Sequence, residues 1–236
     1  MQERLNDVQN RIAAACARSG RDASEIRLIW VSKNHSQQEI LGAHVLGAHY
    51  FGENRVQEVL EKFPLPPNPE TGFPLDYELH LIGHLQSNKV RKVLPLCSAI
   101  HSIDSVDLWE TTARIASELN LKCDVFLQVN TSRELQKSGF PVNGLSYTIE
   151  NLMASTHLRL VGLMTMGPTE GDANATRSGF RELRGLLQNL RQQSSIQARF
   201  PELQFLSMGM SGDFEIAVEE GAHYLRIGTA LFGERI

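Results

Sequence analysis

Strand-like and helix-like segments alternate along almost the whole chain, and this rhythm constrains the fold more than any single motif. Apolar runs suited to strands fall at 27–32, 50–51, 78–83, 99–103, 123–130, 158–164, 203–207 and 224–227. Between them, helical spacing of apolar residues covers 36–46, 53–62, 86–94, 105–119, 142–154, 174–192 and 213–220. Eight such βα units in 236 residues predict a single α/β domain over residues 1–236, a closed (β/α)8 TIM barrel. A further helix at 2–18 precedes the first strand, with Leu5, Val8, Ile12 and Ala15 on one side and Gly20 as its stop. An open doubly wound sheet is the competing layout. It would usually carry Gly-x-Gly-x-x-Gly after the first strand, where this chain has Val31-Ser32-Lys33-Asn34-His35. The proline-rich stretch 64–74 reads as a stiff surface loop.

Bulk properties exclude several classes. A net charge of -4 gives no reason to expect a nucleic-acid partner. No run of 18 apolar residues exists, so no membrane span is expected. The opening Met1-Gln2-Glu3-Arg4-Leu5-Asn6-Asp7 resembles neither a signal nor a transit peptide, which points to the cytoplasm. Cys16, Cys97 and Cys123 are too scattered for a metal site or a disulfide framework, and they read as buried free thiols. The eight histidines form no ligand cluster, so no metal is expected.

Chemistry in such a barrel sits at the C-terminal ends of the strands. The first strand ends on Lys33, and it alone of six lysines closes an apolar run; Lys62, Lys89, Lys92, Lys122 and Lys137 read as solvated. Its amine is a nucleophile for an aldehyde, or else a cation paired at the barrel rim. At the other end of the chain, Ser207-Met208-Gly209-Met210-Ser211-Gly212-Asp213 leads into a helix, and Gly228-Thr229 follows the last strand. Glycines open backbone N–H groups to an anion, Ser207 and Ser211 add hydroxyls, and helix starts add free donors. These two loops suit a phosphate; the competing view makes Ser211 a helix cap and the glycines ordinary turns. Arg226 shares a strand face with Tyr224 and Gly228; if that face points into the barrel, its guanidinium sits beneath the phosphate loops, facing a ligand ring nitrogen or a buried carboxylate. Gln128 and Asn130 could offer amides to a ring substituent, and His80 could line the pocket. The basic run after 86 reads as a solvated helix face. Together, an amine and a phosphate cradle suggest a phosphorylated aldehyde held as a Schiff base.

Several ordered motifs carry a family resemblance. They include Val31-Ser32-Lys33, Phe51-Gly52-Glu53-Asn54, His80-Leu81-Ile82-Gly83-His84-Leu85-Gln86-Ser87-Asn88-Lys89 and Lys137-Ser138-Gly139. Gly162-Leu163-Met164, the 207–213 segment and Arg226-Ile227-Gly228-Thr229-Ala230-Leu231-Phe232-Gly233 complete the set. Through them the whole chain resembles the pyridoxal phosphate homeostasis family, whose fold is similar to the N-terminal barrel of alanine racemase. The resemblance implies pyridoxal 5'-phosphate on Lys33, its phosphate among Ser207, Ser211, Gly228 and Thr229, Arg226 at the pyridine nitrogen and Asn54 near the ring. It implies a role in intracellular cofactor balance, with no established turnover and no catalytic residue. Apo-enzymes that use the cofactor are then possible partners. Asn34 and His35 stand where threonine is commoner in the family, and Gly212 where an acidic residue is. A racemase is expected to need a second base from a C-terminal domain and a partner subunit; this chain reads as a monomer with one cofactor face open. Two other readings remain: a racemase or decarboxylase of small amino acids using the same cofactor, and a Schiff-base aldolase on a sugar phosphate, with Glu53 as its acid–base group.

Overall fold

In the computed structural model, residues 1–63, 76–170 and 172–233 are described; the expected proline-rich loop at 64–74 lies outside them. Helix α1 (Gln2–Ser19) buries Leu5, Val8, Ile12, Ala15 and Cys16, and Gly20 ends it in the left-handed conformation, φ 67°. The repeating units follow in order. They are β1 (Arg27–Val31), α2 (Gln37–Val45), β2 (Tyr50–Glu53), α3 (Val56–Lys62), β3 (Glu78–Leu81) and α4 (Val90–Val93). Next come β4 (Ala99–Ile103), α5 (Val106–Leu119), β5 (Cys123–Asn130), β6 (Phe140–Pro141), α6 (Leu145–Glu150) and β7 (Leu158–Met164). The chain continues with α7 (Ala173–Gln192), α8 (Ser194–Arg199), β8 (Phe205–Ser207), α9 (Phe214–Glu219), β9 (Tyr224–Ile227) and α10 (Thr229–Phe232).

Every strand pairing is parallel, and the ring closes through β1 with β9 and β4 with β5. Among the described residues eight strands form the barrel; the two-residue β6 pairs there only with the end of β5 and stands outside it. The open doubly wound sheet is thereby excluded. The expected helix 86–94 breaks into a 3₁₀ turn, the four-residue α4 and a second 3₁₀ turn. Pro95, second residue of that turn, has no N–H to continue an α-helix. The expected helix 142–154 shortens to α6, which starts after Gly144 at φ 83°.

Strand alternation divides the molecule into two apolar layers. Leu225 and Ile227 pack outward with the helices, whereas Tyr224 joins Ile29, Phe126, Val161 and Met164 inside the barrel. Arg226 therefore points inward with Tyr224, as the two-residue alternation requires. Helix α1 packs on the side of the last unit, and Arg4 donates to the carbonyls of Leu231 and Phe232, both at 2.8 Å. All three cysteines are buried and free. Among the described residues, no helix is long and apolar enough to cross a membrane, and no group of three metal-ligating side chains gathers.

Candidate functional site

Lys33 follows β1 and enters a tight turn. Asn34 takes the left-handed conformation, φ 63°, which asparagine tolerates better than most residues. The His35 N–H closes the turn on the Ser32 carbonyl at 3.0 Å. The neighbouring unit clamps this turn from below. Lys62 Nζ donates to the Ser32 carbonyl at 2.9 Å, to Glu53 Oε1 at 3.0 Å and to Glu58 Oε2 at 2.6 Å. Glu58 Oε2 also accepts the Asn34 N–H at 2.6 Å, and Glu53 Oε1 accepts from Ser32 Oγ at 2.8 Å. Lys62 is thus a structural cation with a side chain only 12% exposed, not the solvated lysine expected. Lys137 is likewise engaged, with the Gly167 carbonyl and Glu134. Lys33 has no hydrogen-bond or ion-pair partner among the described residues. The expected alternative of an ion pair at the rim is therefore not what the fold provides.

The Lys33 side chain lines a cavity of about 260 Å³ at the C-terminal mouth of the barrel. Asn54, Ser211, Arg226, Gly228 and Thr229 line it too, so six of the seven expected residues come together. A larger groove of about 810 Å³ lies on the outer wall beside α5. It is lined by Asp107, Glu110 and Glu118 but holds no lysine and no glycine loop, so size does not select the site. The rim of the smaller cavity is open, with Met210, Gly212 and Thr229 exposed.

The two loops expected from the sequence meet at one side of the cavity. Gly209 permits the first: its φ is 96°, and a Cβ there would lie 2.5 Å from that of Ala217. Asp213 Oδ1 accepts the Met210 N–H at 2.5 Å and shapes the turn. Ser211 Oγ accepts the Ala230 N–H at 3.3 Å, tying the loop to the one after β9. The backbone N–H groups of Ser211 and Gly212 have no acceptor among the described residues. Thr229 opens α10, where the first amides of a helix lack intrahelical partners.

Arg226 is buried, and burial lowers its guanidinium to about 10, still cationic at neutral pH. Nη1 donates to Ser207 Oγ at 2.8 Å and Nη2 to the Thr165 carbonyl at 2.9 Å. No carboxylate pairs with it among the described residues. A guanidinium carries five N–H donors, so the remaining ones are left for whatever fills the cavity.

Ser207 does not line that cavity. It is fully buried at the end of β8, and its hydroxyl is engaged with Arg226 and with His101 Nδ1 at 2.8 Å. Gln128 and Asn130 also turn to other work: they donate to carbonyls of the following loop, at Ser138 and at Glu134 and Lys137. His80 is buried against His101 and is likewise absent from the lining. Glu53 lies beneath the Lys33 turn, where burial pushes its carboxyl up and Ser32 and Lys62 oppose that.

Met166, expected to pack at the end of β7, lines the cavity as apolar wall, and some lining residues were not picked out by sequence, Ile82 among them. His35, noted only as a departure from the family, also lines the cavity. Its Nδ1 lies 2.9 Å from Glu39 Oε1, and its ring stacks on Phe232 at 4.3 Å between centroids. Glu39 is lowered to about 2, first by the Ser36 backbone N–H and then by His35. The Ser36-x-x-Glu39 spacing of a capping box was a readable signal for this arrangement.

The barrel and the mouth cavity define the class, and residues 5–236 match the model of the alanine racemase N-terminal domain. At 15% identity and a TM-score of 0.71, alanine racemase of Clostridium difficile shares the fold over 99% of this chain and 57% of its own. Closer relatives narrow the assignment. The pyridoxal phosphate homeostasis protein of Aquifex aeolicus is 38% identical over 233 residues, 99% of this chain and 97% of that one. PipY of Synechococcus elongatus PCC7942, solved with PLP bound, is 36% identical with a TM-score of 0.75, covering 96% of this chain and 100% of its own. This chain belongs to the pyridoxal phosphate homeostasis family.

Proposed function

We propose that this protein binds pyridoxal 5'-phosphate on Lys33 and serves intracellular cofactor balance rather than turnover. One observation carries the reading: a lysine amine without a protein partner shares a cavity with unpaired loop amides and a buried arginine that lacks a carboxylate. When bound, the cofactor supplies an aldehyde that bonds reversibly to an amine and a phosphate that anchors it. Lys33 provides the amine. Ser211, Gly212, Gly228 and Thr229 offer the phosphate donors, and Ser207 acts one step behind them through Arg226. Arg226 faces the ring nitrogen, and Asn54 flanks the ring. The relatives' names and the PLP-bound PipY support the same cofactor.

The competing readings are weaker. An aldolase needs a carboxylate at the reacting centre, and Glu53 is sealed beneath the site by Lys62 and Ser32. A racemase reading has one group to rest on, His35, held by Glu39 at the cavity wall. Exchange of an amino acid's α-proton in heavy water separates the two outcomes. Turnover of about 1–10³ per second, abolished in His35→Ala, supports the racemase; negligible exchange supports a carrier.

The carrier reading extends to a single-domain, cytoplasmic monomer that passes its cofactor to apo-enzymes. Incubating the loaded protein with an apo-enzyme that requires pyridoxal phosphate should restore that enzyme's activity. Recovery no faster than with released cofactor counts against direct delivery. Sedimentation at micromolar concentration reads the oligomeric state.

A further inference from the structure

A chain of side chains runs through the barrel interior behind Arg226. Arg226 Nη1 donates to Ser207 Oγ, Ser207 Oγ lies 2.8 Å from His101 Nδ1, and His101 Nε2 lies 2.8 Å from His80 Nδ1. His80 Nε2 is buried without a hydrogen-bond partner, and its nearest carboxylate is Glu78 Oε2 at 3.6 Å. Ser207, His101 and His80 are each no more than 1% exposed. Glu78 begins β3 and is half exposed, so the chain joins the cavity to the opposite end of the barrel.

The proton order in this chain follows from its two ends. Ser207 has one hydroxyl proton and already accepts from Arg226. Among the described residues its only other partner is His101 Nδ1, so donation there is the way to satisfy the buried O–H. His101 then carries its proton on Nε2 and donates to His80 Nδ1. That puts the His80 proton on Nε2, toward Glu78. The far end agrees with this order by geometry: Glu78 Oε2 lies 3.6 Å from His80 Nε2, and a carboxylate oxygen facing that nitrogen favours an N–H over a lone pair. The reverse order would strand the Ser207 proton and set a nitrogen lone pair against a carboxylate. Burial keeps both histidines neutral, and Arg226 adds to that effect at His101.

We propose that Ser207, His101 and His80 form a one-directional hydrogen-bond relay from Arg226 toward Glu78, in which the two histidines are positioning residues for the guanidinium. Each bond in such a series polarises the next. The relay holds Arg226 at Nη1, beside the Thr165 carbonyl at Nη2, without a direct carboxylate, which leaves its remaining donors for the cavity. A contacting Asp or Glu would occupy those donors and offset the charge. His101 is itself held flat by stacking on Phe126 at 4.1 Å between centroids. The inference rests on the cofactor reading only for what Arg226 faces; the relay is defined without any ligand.

Nitrogen-15 spectra of the labelled protein, with no cofactor added, test the relay directly. Two-bond proton–nitrogen couplings, assigned with single histidine replacements, should show His80 and His101 both protonated at Nε2 and bare at Nδ1. Arg226 should give separate, slowly exchanging Nη signals. Ser207→Ala and His101→Phe should merge those signals, and Ser207→Thr should keep them apart. A proton on Nδ1 of His101, or resolved Arg226 signals that survive both Ser207→Ala and His101→Phe, overturns the proposal. The tautomer measurement uses the unaltered protein, so it decides the matter even where a variant fails to fold. A wrong cofactor assignment would leave these results unchanged, which keeps the two claims separable.

Discussion

Lys62 Nζ lies 3.0 Å from Glu53 Oε1 and 2.9 Å from the Ser32 carbonyl, so one ammonium at the end of α3 ties β2 to the turn that carries Lys33. Lys62→Met leaves a buried carboxylate without its cation. Removing one partner of such a pair costs about 3–5 kcal/mol, which denaturant unfolding at pH 7 should register. Glu53 is raised above its ordinary 4.5, so its contribution is present below that value and is lost as pH rises. The deficit of Lys62→Met should therefore shrink in acid. A deficit independent of pH would remove Glu53 from the explanation.

Gly83 lies close against the backbone of Asn54 with no room for a side chain. A Cβ at Gly83 would lie 2.2 Å from the Asn54 carbonyl oxygen, whereas one at Gly212 would meet nothing within 4 Å. Gly83→Ala should destabilise the fold by about 1–3 kcal/mol, the usual range for overpacking, and weaken cofactor binding through Asn54. Gly212→Ala should leave stability unchanged. Thermal unfolding and a cofactor titration of the two variants make the comparison; equal behaviour would contradict it.

Acid should release His35. Glu39 is lowered from 4.5 to about 2, so its support is complete above 4.5 and fades as pH falls through about 2. His35 loses its carboxylate partner over the same window. Glu39→Gln should flatten the pH dependence of stability there while leaving the neutral fold intact. An unchanged acid limb in Glu39→Gln would show that other carboxylates set it.

Arg226 should keep the bound ring nitrogen unprotonated, because two positive charges would otherwise meet in a buried site. Nitrogen-15 in the cofactor ring reads this state. Arg226→Glu should shift the ring toward the protonated form and also lower affinity, since its carboxylate would face the cofactor phosphate. A fully protonated ring in the unaltered protein at pH 7 would dismiss this role.

Much of the fold was legible because strands and helices carry different apolar periods. The bounds 99–103, 123–130, 158–164 and 224–227 agree with β4, β5, β7 and β9. Alternation put Tyr224 and Arg226 on one face, and the closed barrel turns that face inward. Ser207 shows where that reasoning stops. A serine at a strand end looks the same whether its hydroxyl meets a ligand or an arginine beneath it, and only the closed barrel brings His101 and Arg226 to it. Lys62 was misread for a similar reason. Its helical position suggested solvent, but its partners Ser32 and Glu53 come from two other strands' ends.

The central claim concerns Lys33, and covalent mapping tests it most directly. Pyridoxal 5'-phosphate added to the protein should give a visible absorption band that borohydride fixes. Digestion and mass spectrometry should then find the reduced adduct on Lys33 alone, and Lys33→Ala should abolish the band. An adduct on any of the other five lysines, or a band that persists in Lys33→Ala, would contradict the account.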